Sequence, residues 1–171
     1  MHFDFRKALC RRLLRIRSRF RRLWKNYIYQ SFLAVVVVAI VFLLLHIQEA
    51  VIIASMGATA FIVFTMPNNR SAHPRRVIGG HITGLLCGSI AALIIPHTTT
   101  DPIVVIEYSL AVGLSIFIMV ALDVEHPPAA GTALGVAITQ FSPGVALTVL
   151  TGSILLSLAH RFLKRFLRDL V

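Results

Sequence analysis

The residues best suited to chemistry are histidines, threonines and a serine that lie within apolar surroundings. His126 is followed directly by Pro127 and Pro128, and then by small residues that include Gly131 and Thr132. Two adjacent prolines suit the first turn of a helix but not its interior. A helix beginning here would direct unpaired N–H groups and the Thr132 hydroxyl at a small anion. The alternative is that the prolines end a loop and the small residues only pack helices.

A similar segment occurs earlier in the chain, so a weak internal repeat is visible. This first copy contains Ser55, Gly57 and Thr59, and its Gly-Ala-Thr-Ala at residues 57–60 resembles the Ala-Gly-Thr-Ala at residues 130–133. A Gly-Ser-Ile sequence also recurs, at residues 88–90 and 152–154. Threonine hydroxyls donate hydrogen bonds without a full charge, which suits an anion that must also leave. We expect the glycines of both copies to permit a close backbone approach. Chance similarity between apolar segments is the alternative.

His81 lies near the start of another apolar segment. An ionisable residue inside a membrane segment is a functional hypothesis by default, with a hydrogen-bonded packing histidine as the alternative. Glu107 is expected simply to reach the membrane interface. The histidines have no metal-ligand spacing, and neither a nucleophile motif nor a phosphate-binding loop is found. We therefore expect no enzyme activity, no metal and no cofactor.

The composition is typical of a membrane protein. The chain has 171 residues, of which 57% are hydrophobic and 14% are charged, and its mean hydropathy is +0.81. A soluble domain carries about 25% charged residues. Such a composition does not provide a soluble surface.

The charges favour a membrane protein over a nucleic-acid-binding one, although the net charge is +10. All 17 Lys and Arg residues lie in three clusters, Arg6–Lys25, Arg70–Arg76 and Arg161–Arg168. Long segments without bases separate these clusters, which is the pattern of basic residues retained in the cytosol. Nucleic-acid binding by the first cluster is the less favoured alternative, because that cluster continues straight into an apolar segment.

The chain divides into a basic arm, residues 1–26, and a transmembrane domain, residues 27–171. Apolar residues recur every three or four positions in the arm, which predicts an amphipathic helix lying on an anionic membrane surface. Six apolar segments follow, at residues 27–47, 50–66, 77–96, 103–122, 129–141 and 145–160. The first is longer than a secretory signal and no cleavage site follows it.

Counting six crossings from a cytoplasmic N-terminus places all three basic clusters on the cytoplasmic side and the polar loop at 97–102 outside. Three crossings in each half would give the halves inverted topology. Inverted repeats with short, Gly- or Pro-interrupted segments at matching places indicate the central site of a transporter. We expect a bacterial inner membrane, with an organelle membrane as the alternative, and both termini in the cytoplasm.

Two groups of residues resemble the signature of the HPP integral membrane family. One is His126-Pro127-Pro128-Ala129 followed by Gly131-Thr132-Ala133, and the other is Gly57-Ala58-Thr59-Ala60, Pro67, Pro74-Arg75 and Ile78-Gly79-Gly80-His81. The resemblance covers residues from about 32 to 158. It implies a protein with several membrane spans. Because family members from cyanobacteria and chloroplasts are linked to nitrite transport, it also implies a nitrite-like monovalent anion as substrate.

We therefore predict an all-α polytopic membrane protein with six transmembrane helices in an inverted repeat of three plus three. Its predicted function is a transporter or channel for a small inorganic anion, with nitrite the first choice, through a site where the two short helices meet near the midplane. The alternative is a non-transporting membrane scaffold that binds partners or anionic lipid through its basic ends. Self-association into a homo-oligomer is an option for so small a bundle. The predicted substrate-binding residues are Ser55, Gly57, Thr59, His81, His126, Pro127, Pro128, Gly131 and Thr132.

Overall fold

A computed structural model describes residues 5–45, 50–94 and 102–171 of the chain. These residues form six α-helices: α1 (Phe5–Leu45), α2 (Ala50–Thr65), α3 (Pro74–Ile94), α4 (Pro102–Ala121), α5 (Pro128–Thr139) and α6 (Pro143–Leu163). Two short 3-10 helices occupy Arg70–Ala72 and Lys164–Phe166. The helix bounds follow the predicted apolar segments, and the described residues contain no strand. Nearly all of the predicted outer loop at 97–102 lies outside the described residues.

Proline defines the start of four helices. The helices α3 to α6 each begin at a proline, whose missing N–H and fixed φ are compatible with the first turn. Ser142 precedes Pro143, and its hydroxyl accepts a hydrogen bond from the Val145 N–H at 3.1 Å. This side-chain cap adds to the effect of the proline at the start of α6.

Four of the helices contain segments long and apolar enough to cross a membrane, at Arg12–Leu45, Pro74–Ile94, Ile103–Ala121 and Pro143–Phe166. The helices α2 and α5 have 16 and 12 residues. At a rise of 1.5 Å per residue they extend about 24 and 18 Å, less than the roughly 30 Å of a hydrocarbon core. The all-α fold with six helices is confirmed, and its two short helices are the Gly- and Thr-rich ones.

Contacts along the helices show the alternating directions that the crossing count requires. Gly80 of α3 lies against Ala129 of α5, and Gly88 lies against Val136, so these two helices are parallel. Along α2 and α5 the order of contacts is reversed, so these helices are antiparallel. The second and fifth helices therefore pass through the bundle in opposite directions.

The loops that carry basic residues meet at one end of the bundle, here called the basic end (residues 27–30, 65–76, 121–127 and 160–171). The Asn68 N–H and side-chain amide donate to the two Asp169 carboxylate oxygens at 3.1 and 2.9 Å. The Tyr27 hydroxyl donates to the Leu170 carbonyl oxygen at 3.2 Å. These contacts bring together the basic loop, the basic tail and the part of α1 next to the arm, as the crossing count predicts.

A buried glutamine fixes the C-terminal tail at the basic end. Gln30 is fully buried, and its Nε2 atom donates to the carbonyl oxygens of Phe64 and Arg168, the latter at 3.0 Å. Its Oε1 atom accepts from the Arg168 N–H at 3.1 Å. The Gln30 side chain thereby holds the backbone of the tail against α1 and α2, a role that sequence reasoning did not assign to Gln30.

The arm is not a separate element. The helix α1 continues through residue 26 without interruption, so the predicted boundary between arm and transmembrane domain falls inside one helix. Residues 12–22 are all exposed, including the apolar Leu13, Ile16 and Phe20. A helix lying flat on the membrane needs a bend near this boundary, and the secondary structure shows none. The arm instead extends α1 beyond the basic end.

The neighbours of each helix are consistent with the predicted three-plus-three repeat. The helix α1 packs on α2 and α6; α2 also packs on α5 and α6; α3 packs on α4, α5 and α6; and α4 packs on α5. Exchanging α1 with α4, α2 with α5 and α3 with α6 converts this set of pairs into itself. A pseudo-two-fold repeat requires this property, although the degree of packing differs between equivalent pairs.

Candidate functional site

Some of the predicted site residues form one buried hydrogen-bonded group, here called the polar cluster. Its members are Ser55 and Thr59 of α2, His81 of α3, His126 of the loop before α5, and Thr132 of α5. Ser55 is 3% exposed and the other members are 0% exposed. His81 lies about 10 Å along α3 from its first residue. The short helices therefore meet slightly on the basic side of the middle of α3, and their meeting at the membrane midplane stays a prediction.

The Thr59 hydroxyl is the centre of the cluster. Its oxygen lies 3.0 Å from His81 Nε2 and 3.0 Å from His126 Nε2. It also lies 3.0 Å from the Ser55 carbonyl oxygen, one turn earlier in α2. The two imidazole centroids are 5.2 Å apart. A single hydroxyl thus connects the imidazole rings of two histidines that lie far apart in the sequence.

His81 connects the two copies of the repeat. Its Nδ1 atom lies 2.8 Å from the Thr132 hydroxyl, while its Nε2 atom faces Thr59. The Thr132 hydroxyl lies 2.8 Å from the Ser55 hydroxyl, which donates to the Pro128 carbonyl oxygen at 2.7 Å. Thr59 and Thr132 occupy corresponding positions in the repeated segments, so the imidazole lies where the two halves meet.

The backbone fixes the tautomer of His126. Its Nδ1 atom lies 2.8 Å from the Ser71 carbonyl oxygen, which can only accept, so this nitrogen carries a proton. In the neutral ring Nε2 is therefore an acceptor. Burial lowers the pKa of His126 to about 4, and the hydrogen bond to Ser71 opposes that shift. The ring is neutral at pH 7 when the cluster is closed as described.

An ion-paired arginine holds the loop that carries His126. The Arg76 side chain, in the first turn of α3, is 10% exposed and pairs with both Asp123 and Glu125. Arg70 lies 3.6 Å from the same Asp123 carboxylate. Sequence reasoning missed this clamp. The signal available was the crossing count, which places the loop at residues 123–128 on the same side of the membrane as the basic loop.

The first turn of α5 does not offer free amides to a ligand. Pro127 and Pro128 have no N–H, and the next two amides, of Ala129 and Ala130, donate to the carbonyl oxygens of His126 and Pro127 at 2.9 and 3.1 Å. The prediction that these amides hold the anion is therefore corrected. Pro127 is exposed, and buried Pro128 contributes its carbonyl oxygen. Side chains, not helix-end amides, supply the donors of this site.

The predicted glycines do not make the close approaches. A Cβ atom at Gly57 would meet nothing within 4 Å, and one at Gly131 would lie 3.5 Å from Ser55 Cβ, an ordinary contact. A Cβ at Gly84 would instead overlap the Ala129 carbonyl oxygen. Small residues allow helices in membranes to pack this closely. The tight backbone contact therefore lies between α3 and α5, next to the cluster but outside the predicted site.

Two other ionisable residues lie away from the cluster. Glu107 is 0% exposed in α4, which corrects the expectation that it reaches the interface. His160 is 2% exposed in α6, and its Nε2 atom lies 2.9 Å from the Pro67 carbonyl oxygen. Neither makes a hydrogen bond with a member of the polar cluster in the described contacts. The cluster consists only of hydroxyl and imidazole groups.

The sequence of the chain is similar to those of other membrane proteins. A sequence model for the transmembrane region of HPP proteins matches residues 17–169. A transmembrane protein of Dictyostelium discoideum is 34% identical over 110 residues, which cover 61% of this chain and 36% of the relative. A second one is 31% identical over 106 residues, covering 61% of this chain and 33% of the relative. This chain thus spans about a third of the length of these relatives. No solved structure matches.

Proposed function

The chain belongs to the HPP transmembrane family, and from this membership together with the polar cluster we propose that it moves a small monovalent inorganic anion, nitrite first, across the membrane. The observation that carries the proposal is the convergence of hydroxyl and imidazole groups from α2, α3 and α5 inside an otherwise apolar bundle. Buried polar groups in a membrane protein are expensive and mark substrate or ion pathways.

The chemistry of the cluster fits a small anion. An anion that leaves water must exchange its hydration for fixed donors, and a hydrogen bond to a charged group contributes roughly 1.5–3 kcal/mol. Thr59, Thr132 and Ser55 provide hydroxyl donors, and the rings provide N–H donors. In the closed arrangement these groups bond to one another. Binding therefore requires them to turn from each other towards the anion.

A cavity beside α4 borders one member of the cluster. This cavity of about 290 Å³ borders His126 together with Glu125 and Pro127, near the basic end. Arg76 binds Glu125 and Asp123 and thereby holds the loop that carries His126. Movement of this loop would connect the cavity with the cluster. We place the gate at this loop.

We further propose that the basic end faces the cytoplasm, in a bacterial inner membrane. The support is the location of the basic loop and tail at one end, because Lys and Arg concentrate on the cytoplasmic side of membrane proteins. Both termini then lie in the cytoplasm. A homo-oligomer is compatible with the apolar outer faces of α1 and α4.

A non-transporting scaffold is the second candidate function. The observation in its favour is the arm, whose residues 12–22 are all exposed and carry most of the first basic cluster. A surface of this kind can bind anionic lipid or an acidic partner at about 1 kcal/mol per base near the membrane.

Nitrite flux into liposomes separates the two candidates. Purified full-length protein is reconstituted, nitrite is supplied outside, and trapped nitrite is measured against time. Protein-free vesicles are the control, because nitrous acid crosses bilayers without help. We expect saturable uptake that nitrate reduces by competition. Uptake equal to that of protein-free vesicles, with folded protein present, would favour the scaffold.

A further inference from the structure

The polar cluster has more hydrogen-bond contacts than protons when both imidazoles are neutral. Its side chains make seven contacts of 2.7–3.0 Å with one another and with backbone carbonyl oxygens. Every contact needs one proton. A hydroxyl supplies one proton and so does a neutral imidazole, so the three hydroxyls and two rings supply about five. Two contacts lack a proton whichever tautomer His81 adopts.

Protonating both rings completes the network without moving any carbon, nitrogen or oxygen atom. Thr59 then accepts from both rings and donates to the Ser55 carbonyl oxygen. Thr132 accepts from His81 and donates to the Ser55 hydroxyl. That hydroxyl donates to the Pro128 carbonyl oxygen, and the second ring keeps its bond to the backbone. Each contact has one donor and one acceptor, so the geometry is that of a site able to take up protons.

One missing proton belongs at His126 Nε2, and the other belongs at whichever His81 nitrogen, Nδ1 or Nε2, lacks a proton in the neutral ring. His126 Nδ1 is already committed to the Ser71 carbonyl oxygen, so an added proton on this ring must be at Nε2. A charge buried in an apolar bundle is costly unless an opposite charge accompanies it. A protonated pair therefore favours a bound anion, and a bound anion favours protonation of the pair.

We propose that the His81–His126 pair takes up one of these two protons with each monovalent anion, so that the protein is an electroneutral proton–anion symporter. This inference rests on the proposed function. An N–H bond forms at one imidazole nitrogen of the pair with a proton from the solution that the anion leaves. This bond breaks on the opposite side, where the proton and the anion are both released to the solution. One proton per anion leaves the loaded site without net charge, which minimises the cost of burial.

Within the described residues, no ion pair joins either ring to an acidic group. Arg76, the nearest base to His81 along α3, is bound by Asp123 and Glu125. The described elements that pack around the pair also carry other ionisable groups. These are Arg70, His73, Arg75, Arg76, Cys87, Glu107, Tyr108, Asp123, Glu125, His160 and Arg161.

Simultaneous measurement of nitrite and protons tests the coupling. Proteoliposomes carry a pH-sensitive dye inside, and potassium with valinomycin sets the membrane voltage. Inward nitrite movement should acidify the lumen with one proton per nitrite, above the rate of protein-free vesicles, and should not respond to voltage. Saturable nitrite flux that responds to voltage and carries no proton overturns the coupling but leaves anion transport intact. Absence of saturable flux overturns the proposed function, and the coupling with it.

Matched histidine variants locate the proton. In His81→Gln and in His126→Gln the linked proton movement should fall at least tenfold. His160→Gln is the control, because this ring is also buried but bonds to Pro67 instead of the cluster. It should retain one proton per nitrite. Loss of the linked proton in the control alone would overturn the assignment.

A measurement on the unaltered protein guards against variants that fail to fold. Nitrogen NMR of histidine-labelled protein distinguishes neutral from doubly protonated rings among its seven histidines. Adding nitrite at constant pH should convert at least one of the two buried rings to the doubly protonated form. If both rings stay neutral while nitrite is bound, the proposal is wrong.

Discussion

The helices α2 and α5 carry the same threonine motif and meet at His81, yet the bundle holds them differently. The helix α5 packs on α3 backbone to backbone, where a Cβ at Gly84 would overlap the Ala129 carbonyl oxygen and one at Gly88, the counterpart of Gly152, would overlap the Ala133 carbonyl oxygen. The equivalent contact of α2 is with α6, where a Cβ at Gly152 would meet the Met56 sulfur at 3.2 Å. A methionine side chain adapts to its neighbours, whereas a backbone carbonyl does not. The repeat thus places two threonines equivalently but fixes only the one on α5.

The helix α5 is therefore the rigid part of the site, and the helix α2 has freedom to adjust. The fixed element is the helix α5 itself, whereas the loop before it, where we propose the gate, is held by the Arg76 ion pairs. The helix α2 contributes Thr59, whose hydroxyl contacts both rings. We expect α2 to shift against a stationary α3–α5 pair when the cluster exchanges its internal hydrogen bonds for an anion.

The largest effect should come from breaking the fixed half. Gly84→Ala places a methyl group on a backbone carbonyl oxygen, so α3 and α5 must separate. Overpacking costs roughly 1–3 kcal/mol, and we expect the upper end because backbone cannot rotate away. Gly57→Ala is the matched control, since its Cβ meets nothing within 4 Å and alanine favours a helix by up to about 1 kcal/mol. Thermal unfolding in detergent measures both.

Equal stability of the two glycine variants would contradict the packing difference between α2 and α5. A Gly84→Ala protein that keeps its unfolding temperature but loses nitrite uptake would instead show that the contact serves motion rather than assembly. Gly57→Ala is informative because the sequence predicts that position 57 requires a glycine, whereas the structure gives no steric reason for one there.

The next effect concerns the two threonines. Thr59→Val and Thr132→Val keep the side-chain shape but remove one hydroxyl each, and a buried partner left without its hydrogen bond costs about 1–3 kcal/mol. Nitrite uptake at equal protein density should fall tenfold or more in each. Thr59→Val should be the more severe because its hydroxyl contacts both rings, whereas the Thr132 hydroxyl contacts only His81 and Ser55.

The double variant tests whether the threonines act as one unit. Residues that share a hydrogen-bond network show coupling of 0.5–3 kcal/mol in double-mutant cycles, as a rough range. We expect the loss in the double variant to be smaller than the product of the single losses, since His81 links the two hydroxyls. Strict multiplication would mean that each threonine acts separately, and uptake like the parent in both single variants would place the anion site elsewhere.

The sequence was sufficient for the helices and for the members of the cluster. Hydropathy and proline positions locate all six helices, because a helix in a membrane must be apolar and must satisfy its own backbone. His81 and the two threonines stood out because polar side chains are rare inside apolar segments. Such signals are local, and a single chain displays them directly.

The contacts between segments were not predictable in the same way. Whether Gly57 or Gly84 makes a close approach depends on the rotation of each helix about its axis, which an apolar segment without strong amphipathicity does not reveal. The amides of Ala129 and Ala130 were expected to be free, but the turn formed by the two prolines directs carbonyl oxygens at them. The pairing of Arg76 with its two carboxylates depends on the loops meeting at the basic end.

Removing the arginine clamp should have a smaller effect than removing a threonine. Arg76→Gln leaves Asp123 and Glu125 without their shared partner, but these carboxylate side chains are 56% and 38% exposed, so water stabilises them. We expect a loss of roughly 1–2 kcal/mol in the free energy of unfolding, between the values for exposed and buried ion pairs. Arg75→Gln, which removes a neighbouring base, is the control.

A gate at this loop gives the arginine variant a second signature. If the loop opens more easily without Arg76, the NMR signal of His126 should exchange faster between forms while that of His160 is unchanged. Uptake should change by less than in the threonine variants. An unaltered unfolding temperature together with an unaltered His126 signal would show that the ion pairs do not hold the loop.

The smallest effect on transport should come from the arm, the last difference between the two halves. The helix α1 extends through Phe5 beyond the basic end, whereas its counterpart α4 has no such extension. Residues 12–22 are exposed and do not reach the polar cluster. Deleting residues 2–22 should therefore lower the amount of correctly oriented protein, because basic residues near the first span set orientation. Uptake per correctly oriented molecule should change less than about twofold, which corresponds to about 0.4 kcal/mol. Labelling of a single cysteine placed at Asn69, with Cys10 and Cys87 replaced, measures the orientation in intact cells. If orientation is normal and uptake is lost, the arm takes part in transport, and the division of the molecule into a functional core and an orienting extension is wrong.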